Sequence, residues 1–93
     1  MKWINNMILL FRSLLNRNEK RLLERAINMY KAGNGYKISN YNECRSFVKI
    51  GYKLEDRMEY LGNKGKLDSA DYENTKYKYQ CVNVIIKEYS LSA

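Results

Sequence analysis

The stretch CRSFVKIGYKLEDRMEYLG, residues 44–62, decides the fold because its apolar residues recur at alternating spacings of three and four. The residues that set this spacing are Cys44, Phe47, Gly51, Leu54, Met58 and Leu61. Such spacings place side chains on one face of a helix. Ser39 or Asn40 can cap its start, and Glu43 stands three residues beyond Asn40, where a capping box requires an acidic partner. The pattern predicts a helix of about six turns that ends at Gly62.

The segment that follows repeats this pattern after a short polar loop, NKGKLD (63–68). The repeat is carried by Tyr72, Thr75, Tyr79, Val82, Ile86 and Tyr89. Asp68 is the expected N-cap, and Asp71 is an acidic residue suited to the first turn. Helices of similar length joined by a short loop lie antiparallel. We therefore predict a hairpin of about 40–62 against about 69–90, in which Tyr79 packs over Gly51.

The loop and its flanks, LGNKGKLDSADYENTK (61–76), resemble the SHOCT type of short bacterial helical hairpin. The points of similarity are Leu61, Gly65, Leu67, Asp68, Asp71, Tyr72 and Lys76. The resemblance covers about a sixth of the chain and implies a helical hairpin.

The first third of the chain has the pattern of one amphipathic helix or of two. Apolar residues recur at helical spacings through 2–16 and again through 18–32. Asn16 or Asn18 can cap a second helix, and Gly33 can end it. Nothing between the two segments forces a break. We predict one all-α domain over 1–93, a small bundle of three or four helices with a basic amphipathic region at 1–32 and the hairpin at 40–90.

The apolar face of the first segment has two main interpretations, core packing and self-association. Its residues are Trp3, Met7, Leu10, Phe11 and Leu14. Core packing is the first expectation. Self-association into a homo-oligomer is the second, because so wide an apolar face is hard to bury in so small a domain. Peripheral contact with a membrane is the third, since an aromatic face beside a basic flank suits the bilayer interface.

Basic residues concentrate in the first part of the chain. The net charge is +7, and residues 1–37 contribute +6 of it, from eight Lys or Arg and two Glu. In RNEKRLLER (17–25) three arginines stand four residues apart, and arginine binds phosphates and carboxylates in a bidentate manner. The expected binding residues for an anionic partner are Arg17, Lys20, Arg21, Arg25, Lys31, Tyr36 and Lys37. An ordinary solvated helix face is the alternative.

Catalysis and metal binding are not expected. The chain has no histidine, which removes the common general base and the Ser-His and Cys-His pairs. Cys44 and Cys81 form no cluster of metal-ligand spacing, and the hairpin pairing holds them about 10 Å apart, too far for a disulfide. We expect both to be reduced, buried thiols. No secretory signal and no stretch of about 18–20 apolar residues is present. We expect a cytoplasmic protein with no enzymatic activity, cofactor or metal.

Three classes of function remain, in this order. The first is a non-enzymatic protein-binding module, of the kind that phages and mobile elements use to inhibit or modulate a host protein, and its partner has an acidic surface. The second is a nucleic-acid-binding regulator that uses the 17–31 segment. The third is similar to bacteriocin-immunity proteins in size, charge and helix count. Eleven Lys, eleven Asn and nine Tyr suit an AT-rich gene of a bacterium, phage or mobile element, and some of the tyrosines are candidate anchors at a binding surface.

Overall fold

The computed structural model describes residues 2–92, and within them it contains four helices and no strand. The helices are α1 (Lys2–Arg12), α2 (Arg17–Lys31), α3 (Tyr41–Asn63) and α4 (Ala70–Ser92). The all-α bundle is confirmed, and the first third of the chain forms two helices instead of one. None of the described helices is both long enough and apolar enough to cross a bilayer.

α1 and α2 are separated by residues 13–16, and Asn16 fixes the start of α2. Its side-chain oxygen accepts the backbone N–H of Glu19 at 2.8 Å, and the Glu19 carboxylate accepts the backbone N–H of Asn16 at 2.9 Å. This reciprocal capping box satisfies two amide groups that a helix start would otherwise leave unpaired. Of the two candidates, Asn16 is therefore the cap of α2, whereas α1 already ends at Arg12.

Two glycines end α2 and α3 in the same way. Gly33 and Gly65 have φ values of +84° and +71°, in the left-handed region where a Cβ is costly. The amide after each glycine then bonds back to the last turn, as in a Schellman motif. The two bonds join Asn34 N–H to the Met29 carbonyl and Lys66 N–H to the Leu61 carbonyl, each at 2.9 Å. Gly33 ends α2 as predicted, but α3 runs one residue past Gly62 to Asn63.

The start of α3 is capped by Asn40, whose side-chain oxygen accepts the backbone N–H of Glu43 at 2.9 Å. The expected return bond from Glu43 goes elsewhere. Its carboxylate accepts the backbone N–H of Ser39 at 3.2 Å and the hydroxyl of Tyr36 at 2.8 Å. Glu43 therefore ties the connection before α3 to the helix.

The start of α4 is capped by Ser69, so the prediction of Asp68 as N-cap is wrong. The Ser69 hydroxyl accepts the backbone N–H of Tyr72 at 3.1 Å and donates to the Lys66 carbonyl at 2.7 Å. The bond to the Lys66 carbonyl holds Ser69 in the turn. The N-cap of α4 is therefore Ser69, one residue after Asp68. Asp71 occupies the first turn, as expected.

The hairpin of α3 and α4 is antiparallel. Arg57 pairs with Asp71 at 2.8 Å, whereas the earlier residue Gly51 faces the later residue Val82. The expected packing of Tyr79 over Gly51 is wrong. The Tyr79 hydroxyl donates to the Glu55 carboxylate instead, and a Cβ built at Gly51 would lie 3.6 Å from Val82 Cγ1. Gly51 thus lies against Val82, three residues beyond the expected Tyr79.

The core lies where α2, α3, α4 and the 32–40 connection meet. Phe47 and Ile50 of α3 and Val82 and Ile85 of α4 are its largest fully buried side chains. The other buried apolar members of this cluster are Leu23, Ala26, Ile27, Tyr36, Ile38, Leu54 and Cys81. Both cysteines are free thiols, as predicted, but only Cys81 is buried and Cys44 is half-buried. α3 contacts all three other helices and is the central one.

The apolar side of α1 faces solvent, so the core interpretation of that side does not hold. Trp3, Met7, Phe11 and Leu14 are exposed, and Leu10 alone of the five predicted residues is half-buried. With the exposed neighbours Ile4 and Ile8, and with Leu14 two residues beyond the end of the helix, the exposed residues make up what we call the α1 face: Trp3, Ile4, Met7, Ile8, Phe11 and Leu14.

Polar contacts hold the opposite side of α1 against the last turns of α3. Arg12 pairs with Asp56 at 3.5 Å, and the Asn63 side-chain N–H donates to the Asn6 side-chain oxygen at 3.2 Å. Leu9 and Leu10, which share a helix side with Asn6, are half-buried as well. α1 therefore turns these two leucines and Asn6 inward and leaves its wider apolar side exposed.

The Gly51 site supplies a stability test. We expect Gly51→Ala to raise the unfolding free energy by about 1 kcal/mol, because alanine favours a helix interior and its Cβ meets Val82 at an ordinary contact distance. We expect Gly51→Leu to lower it by about 1–3 kcal/mol through overpacking. Thermal or denaturant unfolding measures both, and a Gly51→Leu protein as stable as wild type would show that Val82 does not lie against this position.

Candidate functional site

Five cations on the solvent side of α2 form the candidate binding surface, which we call the α2 basic face: Arg17, Lys20, Arg21, Arg25 and Lys31. The structure places all five in exposed positions. The opposite side of α2 buries Leu23, Ala26 and Ile27 in the core. Core packing therefore fixes which way the cations point. None of the five forms an ion pair with a carboxylate within residues 2–92.

One of the two glutamates of α2 is withdrawn from this face. Glu19 is 6% exposed and pairs with Lys53 of α3. Burial alone would raise the pKa of Glu19, but hydrogen bonds from Lys53 and the Asn16 amide and the charges of Lys53 and Lys49 bring that pKa below its usual value. Glu19 is therefore a charged carboxylate directed into the protein. Glu24 is the acidic residue that remains exposed on α2.

The cations of α2 lie along two grooves, one on each side of the helix. Arg21 and Arg25 line the groove toward α3, together with Lys49. Lys20 and Lys31 line the groove toward α4. Glu24 and Lys78 share that second groove. Arg17 lies in the first turn of α2. The grooves thus bring Lys49 and Lys78 to this surface, which sequence reasoning missed because neither is close to α2 along the chain.

Asparagines accompany the arginines in the groove toward α3. Its lining includes Asn16, Asn18, Asn40 and Asn42, among them the caps of α2 and α3. Asparagine side chains offer donors and acceptors beside the guanidinium groups. This groove can therefore accept a partner that presents both anionic and neutral polar groups.

Tyr36 does not belong to the binding surface to which the sequence assigned it. It is 6% exposed, and its ring packs edge to face on Phe47 at a centroid distance of 5.3 Å. Burial, the hydrogen bond to Glu43 and the charge of Glu43 raise the pKa of its hydroxyl above the usual value. Lys37 is exposed, but it lines a separate groove with Ile85, Glu88 and Tyr89 of α4 and not either groove of α2.

Exposed tyrosines occur beside this surface instead of on it. Tyr41 is strongly exposed at the start of α3, between two asparagines of the α2–α3 groove. Tyr30, on α2 itself, is half-buried against the core. Within residues 2–92 there is also no group of three or more Cys, Asp or Glu side chains that could hold a metal ion.

Comparison with known proteins gives no match to a family model, to a curated protein or to a solved structure. The hairpin to which the SHOCT resemblance pointed is present, but no family match accompanies it. The function is therefore inferred from the surfaces themselves.

Because the Glu19 carboxylate is buried and paired, we expect the unfolding free energy to depend on pH. Because the pKa of Glu19 is lowered on folding, the unfolded chain binds its proton first as pH falls. The stabilising contribution is full above the usual value of 4.5 and is lost as pH falls below it through the folded pKa. We expect Glu19→Gln to be less stable than wild type at pH 7 and to approach it in stability as the pH falls below 4.5.

Denaturant unfolding at a series of pH values measures this effect. Glu24→Gln is the matched control, since it removes the same charge from the exposed side of the same helix and should keep the acid dependence of wild type. If Glu19→Gln and wild type lost stability in parallel on acidification, the ion pair with Lys53 would not contribute as described.

Proposed function

We propose that the chain is a non-enzymatic binding module that recognises an acidic surface of another protein through the α2 basic face. The observation that carries the proposal is the imbalance of charge on that face. Five exposed cations of α2 accompany a single exposed carboxylate, because Glu19 is buried and paired with Lys53. Arginine, with its planar donors, is well suited to carboxylates of a partner protein.

The position of the acidic residues favours protein over nucleic acid. Glu24 lies with Lys20 and Lys31 in the groove toward α4, and Glu43 lies with Arg21 and Arg25 in the groove toward α3. A phosphate backbone is bound best by an uninterrupted positive groove. A cationic surface interrupted by a few carboxylates instead suits a protein that carries carboxylates among donor groups, since complementary potentials set the register of an interface.

The wider role we propose is that of a small phage- or mobile-element-type inhibitor or modulator of a host protein in the cytosol, including one that handles nucleic acid or acts in defence. Its support is the small size, the cationic charge, the AT-rich composition and the lack of histidine in the sequence. Binding alone is enough for such a protein to act, because covering a functional surface of the host protein blocks it.

A nucleic-acid-binding regulator is the second candidate, and the asparagine-lined groove favours it. Arg21, Arg25 and Lys49 there stand among side chains of the type that reads base edges, since arginine pairs with guanine and asparagine with adenine. Nucleic-acid binding predicts that the affinity falls steeply as the salt concentration rises. Each phosphate that the face neutralises on duplex DNA adds about −0.9 to the slope of log affinity against log salt concentration.

Reversal of the arginines tests both candidates. We expect the triple variant Arg17→Glu, Arg21→Glu, Arg25→Glu to lose the partner protein that wild type captures from host lysate after nuclease treatment. The fold should survive, because all three side chains are exposed. Circular dichroism checks the helix content, and binding of generic DNA at several salt concentrations measures the second candidate.

The matched control reverses three cations elsewhere, in the variant Lys66→Glu, Lys76→Glu, Lys87→Glu. These lysines are also exposed and lie outside both α2 grooves. Their reversal changes the net charge by the same amount as reversal of the three arginines. It should keep the partner. Loss of the partner in both variants would indicate a general charge effect, and a triple arginine variant that binds like wild type would make the α2 basic face an ordinary solvated surface.

A further inference from the structure

The α1 face is a second surface, chemically distinct from the α2 basic face. Trp3 and Phe11 are 68% and 64% exposed, and the other four residues are each more than 40% exposed. Together they expose on the order of 600 Å² of apolar area, at the upper end of what a monomeric protein shows. No charged side chain belongs to the face, since Arg12 turns toward Asp56 of α3.

We propose that the α1 face is covered by the α1 face of a second copy of the chain, in an antiparallel pair of α1 helices related by a two-fold axis. The area supports this occupant. Two such faces together bury about 1,200 Å², the lower limit of a stable interface between proteins. An isologous contact also requires a patch that matches itself, and an uncharged apolar face meets that requirement without repulsion between like charges.

The order of residues along the face gives the register of the pair. Met7 lies four residues after Trp3 and four before Phe11, so all three lie within about 12 Å along one side of the helix. A two-fold axis beside Met7 places Trp3 of each copy against Phe11 of the other. The pair thus makes two aromatic contacts, of a kind that contributes beyond area alone, and places Met7 against its own equivalent.

A bilayer surface is a less suitable occupant. Helices that lie in a membrane interface carry lysines and arginines on their polar side. The polar side of α1 is packed against α3 through Asn6 and Arg12. Beside Trp3, Glu59 and Lys64 line one groove, so that edge carries both signs of charge instead of a cationic rim.

Sedimentation equilibrium of wild type and Met7→Asp tests the proposal. Wild type should form a dimer in a concentration-dependent way, and Met7→Asp should raise the dissociation constant at least about tenfold, because two carboxylates would meet at the axis. Val84→Asp is the matched control. Val84 is exposed to nearly the same extent, 44% against 43% for Met7, but it lies on α4, which does not contact α1. It should dimerise like wild type.

Cysteine cross-linking tests the orientation. Under a mild oxidant, Met7→Cys should give a disulfide-linked dimer. Trp3→Cys should not, because antiparallel pairing separates the two cysteines by about 12 Å along the helix, beyond the ~7 Å that a disulfide spans. Cross-linking of both variants would contradict the antiparallel register, and the wild-type protein, with Cys44 and Cys81, measures the background.

A wild-type protein that sediments as a monomer up to about 0.5 mM would overturn the proposal. In that case, flotation with vesicles of phosphatidylcholine and phosphatidylserine identifies the other occupant. Vesicle binding by wild type that is lost in Met7→Asp and kept in Val84→Asp would assign the α1 face to lipid.

Discussion

One carboxylate oxygen of Glu19 holds together the first half of the molecule. The same Oε1 accepts the backbone N–H of Asn16, which closes the cap of α2, and the ammonium group of Lys53, which fixes α2 to α3. A charge buried in this way is tolerated because it is both paired and hydrogen-bonded, and removal of either partner would leave it unsatisfied. The cap of α2 and the polar link between α2 and α3 therefore share a single group, which adds to the apolar packing of α2 on the core.

The charge of the outer side of α2 follows from the burial of Glu19 beside Lys53. With Glu19 directed inward, the outer side of α2 is left strongly cationic. α1 and α2 follow one another along α3, since Arg12 reaches Asp56 and Glu19 reaches Lys53 one turn earlier on the same helix. An apolar surface and a basic surface thus adjoin along the central helix. Apolar contacts mainly supply affinity, whereas charged ones mainly supply specificity and speed of association, so the two surfaces suit different partners.

The sequence predicted features that depend on near neighbours and missed those that depend on helix register. The caps at Asn16 and Asn40 and the end at Gly33 are decided by bonds within a few residues, and periodicity located all four helical segments. The burial of Tyr36, the packing of Val82 on Gly51 and the arrival of Lys49 beside the arginines depend on how helices are offset. The side of α1 that faces inward was also beyond the pattern, because apolar residues occur on both sides of this helix and the half-buried ones are Leu9 and Leu10.

Because α1 contacts α3 and no other described helix, we expect it to open separately from the rest of the fold. Its contacts include an ion pair and side-chain hydrogen bonds, and it contributes no member to the fully buried cluster. Local opening of such a unit needs less free energy than global unfolding. The amides of α1 should therefore exchange with solvent deuterium well before those of α3. A molecule that covers α1 slows the exchange of α1 selectively. The deuterium uptake of α1 therefore reports whether its surface is occupied.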